Sequence, residues 1–227
     1  DGTGLLYSTY IGGSNADIPH SLAYNETWGQ VALLGTTGSI DFPTTAGSFQ
    51  PDFNVGGAVT ISIYGNDVQS AGLDCYLLTL DGTDYTLNAS TFFGGTGADG
   101  LNESLVLRTN FGDFYRGQVD IGPEGSIWIA TTTTSTDIPL PGSPAHAGGQ
   151  DALVAGFSAD LSTLLSGRTF GGFWDDAAYS IEVAPDNSFG GLDNLQVLVG
   201  GGTRSDDLPL PPGSIQPDRA GLTDGWI

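Results

Sequence analysis

The amino-acid sequence predicts an all-β fold assembled from about three copies of one antiparallel unit, on three observations. A strand-like stretch closed by a double glycine occurs as LLYSTYIGG from Leu5, LNASTFFGG from Leu87 and LLSGRTFGG from Leu164. An aspartate follows each double glycine at one fixed offset, at Asp17, Asp99 and Asp176. An Asp-apolar-Pro triplet stands at Asp41, Asp137 and Asp207, each six residues after Gly35, Thr131 and Gly201. A unit repeated in this way cannot bury its apolar face alone and must stack on its neighbours.

Each unit supplies four strand candidates. The first, a, reads HSLAY from His20, GQVDI from Gly117 and YSIEV from Tyr179. The second, b, is the apolar run QVALLG from Gln30, SIWIAT from Ser126 and QVLVGG from Gln196. The third, c, begins at Asp74, Asp151 and Asp224, in GLDCYLL, GGQDALV and GLTDGWI. The fourth, d, is the stretch before the double glycine. Runs of about five residues rich in β-branched and aromatic side chains, parted by Gly, Pro, Asn and Asp clusters, are strands rather than helices. Repetition of four short antiparallel strands describes a β-propeller blade. A β-sandwich has similar strands but does not need three copies of one unit.

The chain therefore reads as one domain over residues 1–227, with repeats at approximately 14–95, 96–172 and 173–227 and residues 1–13 as a lone outer strand. The order d, abcd, abcd, abc makes the first strand the complement of the last three. Three blades are fewer than the roughly four to eight of closed propellers, so the expected partners include remaining blades or domains of a parent chain. The absence of methionine agrees with a piece of a longer polypeptide. Period differences, 82 and 77 residues at the double glycine, place insertions at Phe53 to Ser70 and Leu101 to Phe114.

Composition bounds the function. Twenty-six acidic residues face five arginines and no lysine, a net charge of −21, which repels nucleic acid and anionic membranes. No apolar run reaches the roughly 18 residues of a transmembrane segment. The single cysteine, Cys75, in an apolar context, reads as a small buried hydrophobe.

Catalytic clusters are missing. There is no Gly-x-Ser-x-Gly elbow, and His20 and His146 are the only histidines, one on a repeat strand and one in a Pro/Gly/Ala loop. No His/Cys spacing suits zinc. The expected site residues are instead structural turn aspartates: Asp17, Asp99, Asp176, Asp41, Asp137, Asp207, Asp74, Asp151 and Asp224. An aspartate after a Gly-Gly turn accepts backbone N–H bonds and fixes the turn. Calcium is the weaker alternative at Asp17, Asp99 and Asp176, because one repeated carboxylate falls short of the roughly six to eight oxygens that calcium takes. No cofactor is otherwise expected. The insertions, with Phe53, Tyr64, Leu105, Phe111 and Phe114 and few charges, are the candidate contact loops.

The pattern LLYSTYIGG, then AD, GTTGSIDFPTTAGSFQPD and GLDCYLLTLD resembles the SBBP repeat, a bacterial β-propeller repeat of large secreted and cell-surface proteins. The resemblance runs from Leu5 to Ile227; the second copy departs from it, with Thr131 for a glycine and GSPAHA where the others have GSFQPD and GSIQPD. It implies an extracellular or cell-surface location and says little of activity, since blades are scaffolds. Two functions remain: a non-catalytic scaffold or adhesion module binding a protein or glycan, and a carbohydrate-active hydrolase or lyase using an acidic pair. Scaffold residues repeat in every unit, whereas catalytic residues belong to one.

Overall fold

The computed structural model describes residues 3–63, 66–108, 111–142, 148–185 and 195–227. The protein is all-β with antiparallel sheets, and its helical content among the described residues is two short 3-10 turns, Phe111–Tyr115 and Pro123–Gly125. The first sheet is a four-stranded meander of β1 (Asp17–Asn25), β2 (Gln30–Thr37), β5 (Asp74–Asp81) and β6 (Leu87–Phe93). A hairpin of β3 (Val59–Ile63) and β4 (Asn66–Ser70) is inserted between β2 and β5. The second sheet is β7 (Gln118–Ile121), β8 (Ile127–Thr133), β9 (Asp151–Phe157) and β10 (Leu164–Phe170). The third is β11 (Asp176–Pro185), β12 (Leu195–Thr203) and β13 (Asp224–Trp226).

Alternation along the strands decides the packing. In β8, Ile127 and Ile129 point to one side and Trp128 and Ala130 to the other, as the period of two requires. The first set meets Ala32, Leu34, Cys75, Leu77 and Phe93 of the first sheet, while Trp128 and Ala130 meet Ala178, Ile181 and Val183 of the third. The middle sheet is thus apolar on both faces, which is why its b and c strands are unbroken apolar runs. Each fully buried Leu, Ile or Phe in these layers contributes about 1.5–3 kcal/mol.

The first strand of each sheet lies beside the first strand of the next. These are edge strands whose outer N–H groups lack a ladder partner, and side chains supply the acceptors. Val119 N–H donates to Ser21 Oγ (2.7 Å), Ile181 N–H to Gln118 Oε1 (3.0 Å) and Val183 N–H to Asp120 Oδ2 (2.8 Å). In β1 the register shifts between Pro19 and Ser21, and in β11 between Ala178 and Ser180, so His20 and Tyr179 occupy equivalent bulges.

Two expectations are corrected. The stretch from Leu5 to Gly13 forms no strand, because no neighbouring strand offers it a ladder; Leu5, Leu6 and Tyr10 are exposed and Ile11 alone packs on the first sheet's core. The insertions are not uniformly exposed. Phe53 is buried beside Phe92, and Phe114 packs with Tyr115 against Leu73, Ala98 and the insertion's own Leu101. Leu105 is exposed as expected, at 81%. Tyr64, His146 and the side chain of Phe111 lie outside the described residues.

Candidate functional site

The repeated aspartates converge on three equivalent junctions, each formed where a double glycine turns toward the next first strand. In the middle junction Asp99 Oδ2 accepts from Gly95 N–H (2.8 Å) and Ser135 Oγ (2.8 Å), and Oδ1 accepts from Thr133 Oγ1 (2.5 Å). In the first, Asp17 Oδ2 accepts from Gly13 N–H (2.8 Å) and Ser39 Oγ (3.0 Å), and Oδ1 from Thr37 Oγ1 (2.5 Å). In the third, Asp176 Oδ2 accepts from Gly172 N–H (2.8 Å) and Ser205 Oγ (2.7 Å). The same serines accept from a second N–H of the same turn: Asn15 N–H to Ser39 Oγ (2.8 Å), Gly97 N–H to Ser135 Oγ (2.7 Å) and Trp174 N–H to Ser205 Oγ (3.0 Å).

The Asp-apolar-Pro aspartates close the same loops from the other side. Asp41 accepts from Ser14 N–H, Asp137 from Thr96 N–H and Asp207 from Phe173 N–H, at 2.8, 2.8 and 2.9 Å. Those bonds hold the exposed Asp41 carboxyl below the usual carboxylate range. The full signature is Thr-x-Ser-x-Asp-apolar-Pro, at Thr37–Pro43, Thr133–Pro139 and Thr203–Pro209. The threonine and serine escaped the sequence reading although they repeat as faithfully as the aspartate.

Both glycines are required for space. A Cβ on Gly94 would collide with Asp74 Oδ1 and stand 2.8 Å from Asp99 Oδ2; one on Gly171 would collide with Asp151 Oδ1 and stand 2.9 Å from Asp176 Oδ2. Cβ atoms on Gly13, Gly95 and Gly172 would run into Asp41, Asp137 and Asp207. Asp74 and Asp151, at the start of strand c, therefore join the middle and third junctions as well. Asp74 Oδ2 accepts from Asn54 N–H (2.9 Å) and Gln50 Nε2 (3.0 Å), and Asp224 Oδ2 from Ala220 N–H (2.7 Å) and Gln216 Nε2 (3.1 Å). The shared GSFQPD and GSIQPD segments exist to deliver those glutamines.

Burial dominates the electrostatics. The Asp74 carboxyl, fully buried, is pushed up to about 8 by desolvation first, with the charges of Asp99 and Asp137 adding to it. Asp99 is raised to about 6 by burial against the pull of its three donors, and Asp176 is raised for the same reason. Burial thus favours the protonated form of Asp74, which lowers the charge the junction has to hold. His20, its Nε2 3.1 Å from Thr36 Oγ1, is lowered to about 4 by burial and stays neutral.

Asp74, Asp99, Asp151 and Asp176 are shut away from solvent, while Asp41, Asp137 and Asp207 close the same turns from the exposed side. The pair Asp74 and Asp99 recurs as Asp151 and Asp176, all four at 2% exposure or less, so a substrate does not reach them. Among the described residues no three His, Cys, Asp or Glu side chains group as a metal would need, and no helix is long and apolar enough to cross a membrane.

One junction differs from the others in what it displays. Where the first turn has Ser14-Asn15-Ala16 and the second Thr96-Gly97-Ala98, the third has Phe173-Trp174-Asp175. Phe173 is 66% and Trp174 48% exposed, their rings 5.2 Å apart and perpendicular. Arg204, in place of Gly38 and Thr134, bonds Asp175 Oδ2 at 3.1 Å and sits 5.6 Å from the Trp174 ring centroid. Ser104 from the second insertion donates to the same Asp175 oxygen at 2.7 Å. The signal for this cluster was present in the sequence as a departure from the repeat at aligned positions. No family model matches the chain, and no curated protein sequence matches it either.

Proposed function

We propose that the chain is part of an extracellular or cell-surface β-propeller of SBBP-like repeats, serving as a non-catalytic scaffold or adhesion module for a protein or glycan. The observation that carries the reading is that Asp17, Asp99 and Asp176 each accept from the second glycine that closes the preceding unit and from the serine of their own unit, so the conspicuous carboxylates repeat as structural groups. The stacking of consecutive meanders, with first strands side by side, supports the blade reading. At Asp17 and Asp99 hydroxyl and N–H donors engage both carboxylate oxygens, which favours turn-fixing over calcium at those two positions. The test pairs a whole-cell and polysaccharide binding assay with a reducing-sugar assay on the same polymers. Binding without turnover is the expected result; release of reducing ends would replace the scaffold by the carbohydrate-active enzyme.

A further inference from the structure

We infer that the third Gly-Gly turn is a binding site for a neutral polysaccharide, with Trp174 as the platform for a pyranose ring. This rests on the adhesion reading and gives it a ligand class and a location. The chain contains its own controls. Backbone bonds at the three turns are the same, down to Gly38 N–H to Ala16 O (2.9 Å), Thr134 N–H to Ala98 O (3.0 Å) and Arg204 N–H to Asp175 O (3.0 Å). The turn therefore forms with small or polar residues, and nothing in its architecture calls for Phe173, Trp174 or Arg204. Two aromatic rings left in water at such a position mark a contact surface.

The chemistry fits a sugar. A pyranose presents an apolar C–H face and a rim of hydroxyls; the indole supplies the flat surface and the Asp175–Arg204 pair supplies an acceptor and donors beside it. Ser104 and the backbone bond hold that pair in place before a ligand arrives, which lowers the entropy cost of binding. The opposed charges of Asp175 and Arg204 cancel locally, and the net charge of −21 disfavours an acidic polymer. Open presentation of the rings suits a polymer lying across them rather than a metabolite that must be enclosed. Two rings fall well short of the roughly 800 Å² per partner of a stable protein interface.

Affinity electrophoresis through gels containing hydroxyethylcellulose, galactomannan, arabinoxylan or alginate tests this, followed by calorimetric titration with the polymer that retards the chain. At least one neutral polymer should retard the wild type. Trp174→Ala should weaken binding about tenfold or more, Trp174→Phe should retain most of it, and Trp28→Ala, an equally exposed tryptophan elsewhere, should change nothing. Melting temperatures of the three variants should stay within about 2 °C of wild type. Equal retardation of Trp174→Ala and wild type overturns the site and leaves the adhesion reading standing. Retardation by alginate alone overturns the neutral class. No retardation by any polymer overturns the glycan, and turnover of a polymer overturns the adhesion reading itself.

Discussion

Replacing Ser135 with alanine removes two bonds from the middle junction and almost no volume. Its hydroxyl donates to Asp99 Oδ2 at 2.8 Å and accepts from Gly97 N–H at 2.7 Å, with Ser135 2% and Asp99 0% exposed. A hydrogen bond to a charged group contributes about 1.5–3 kcal/mol, and a backbone N–H left without an acceptor costs about 1 kcal/mol or more. The sum is about 3 kcal/mol, or roughly 9 °C in melting temperature for a chain of this size. Ser39→Ala removes the equivalent bonds, at 3.0 and 2.8 Å, from Asp17, which is only partly buried. Water takes over part of that loss, so about half the cost is expected. Urea unfolding at pH 8, where Asp99 is ionised, measures both. A loss below about 1 kcal/mol for Ser135→Ala, or a larger loss for Ser39→Ala, would refute this role of the serine, since burial is what sets the ranking.

Other outcomes follow from the same geometry. Asp74 binds its proton more tightly folded than unfolded, with its value raised from 3.8 to about 8, so its contribution is greatest at acid pH and is lost as pH rises toward 8. His20, lowered from 6.5 to about 4, acts in the opposite sense below pH 6.5, so the fall in melting temperature should be clearest between pH 6.5 and 8 and should flatten in Asp74→Asn. Gly94→Ala forces a methyl group against Asp74 and Asp99 and should cost about 1–3 kcal/mol in urea unfolding, whereas Gly57→Ala, with open space around it, should be nearly neutral. Cys75, fully buried with its thiol pushed well up by burial, should resist a thiol reagent until the protein is unfolded in denaturant; fast labelling of the native chain would contradict the packing.

Periodicity carried the local structure because it reflects local physics. The d strands at Leu87 and Leu164 begin where the repeat places them, and the b and c strands follow from apolar runs bounded by turn residues. The aspartates were legible as turn-fixing groups because Gly-Gly turns leave N–H donors in need of acceptors. Three things needed the tertiary structure. The stretch from Leu5 has the sequence of a strand, yet a strand is defined by its neighbour, and no local pattern says whether one is present. Phe53 and Phe114 look like exposed loop aromatics until Phe53 seats on the first sheet beside Phe92 and Phe114 packs against Leu73, Ala98 and Leu101. The carboxylate pairs Asp74 with Asp99 and Asp151 with Asp176 join residues 25 positions apart in sequence, and only the backbone bonds of Asp99 N–H to Leu73 O and Asp176 N–H to Gln150 O bring them to either side of a glycine. The sequence by itself determined which residues recur; the fold decided which of them are buried together, because burial depends on what stacks against each face and not on the order of residues along it.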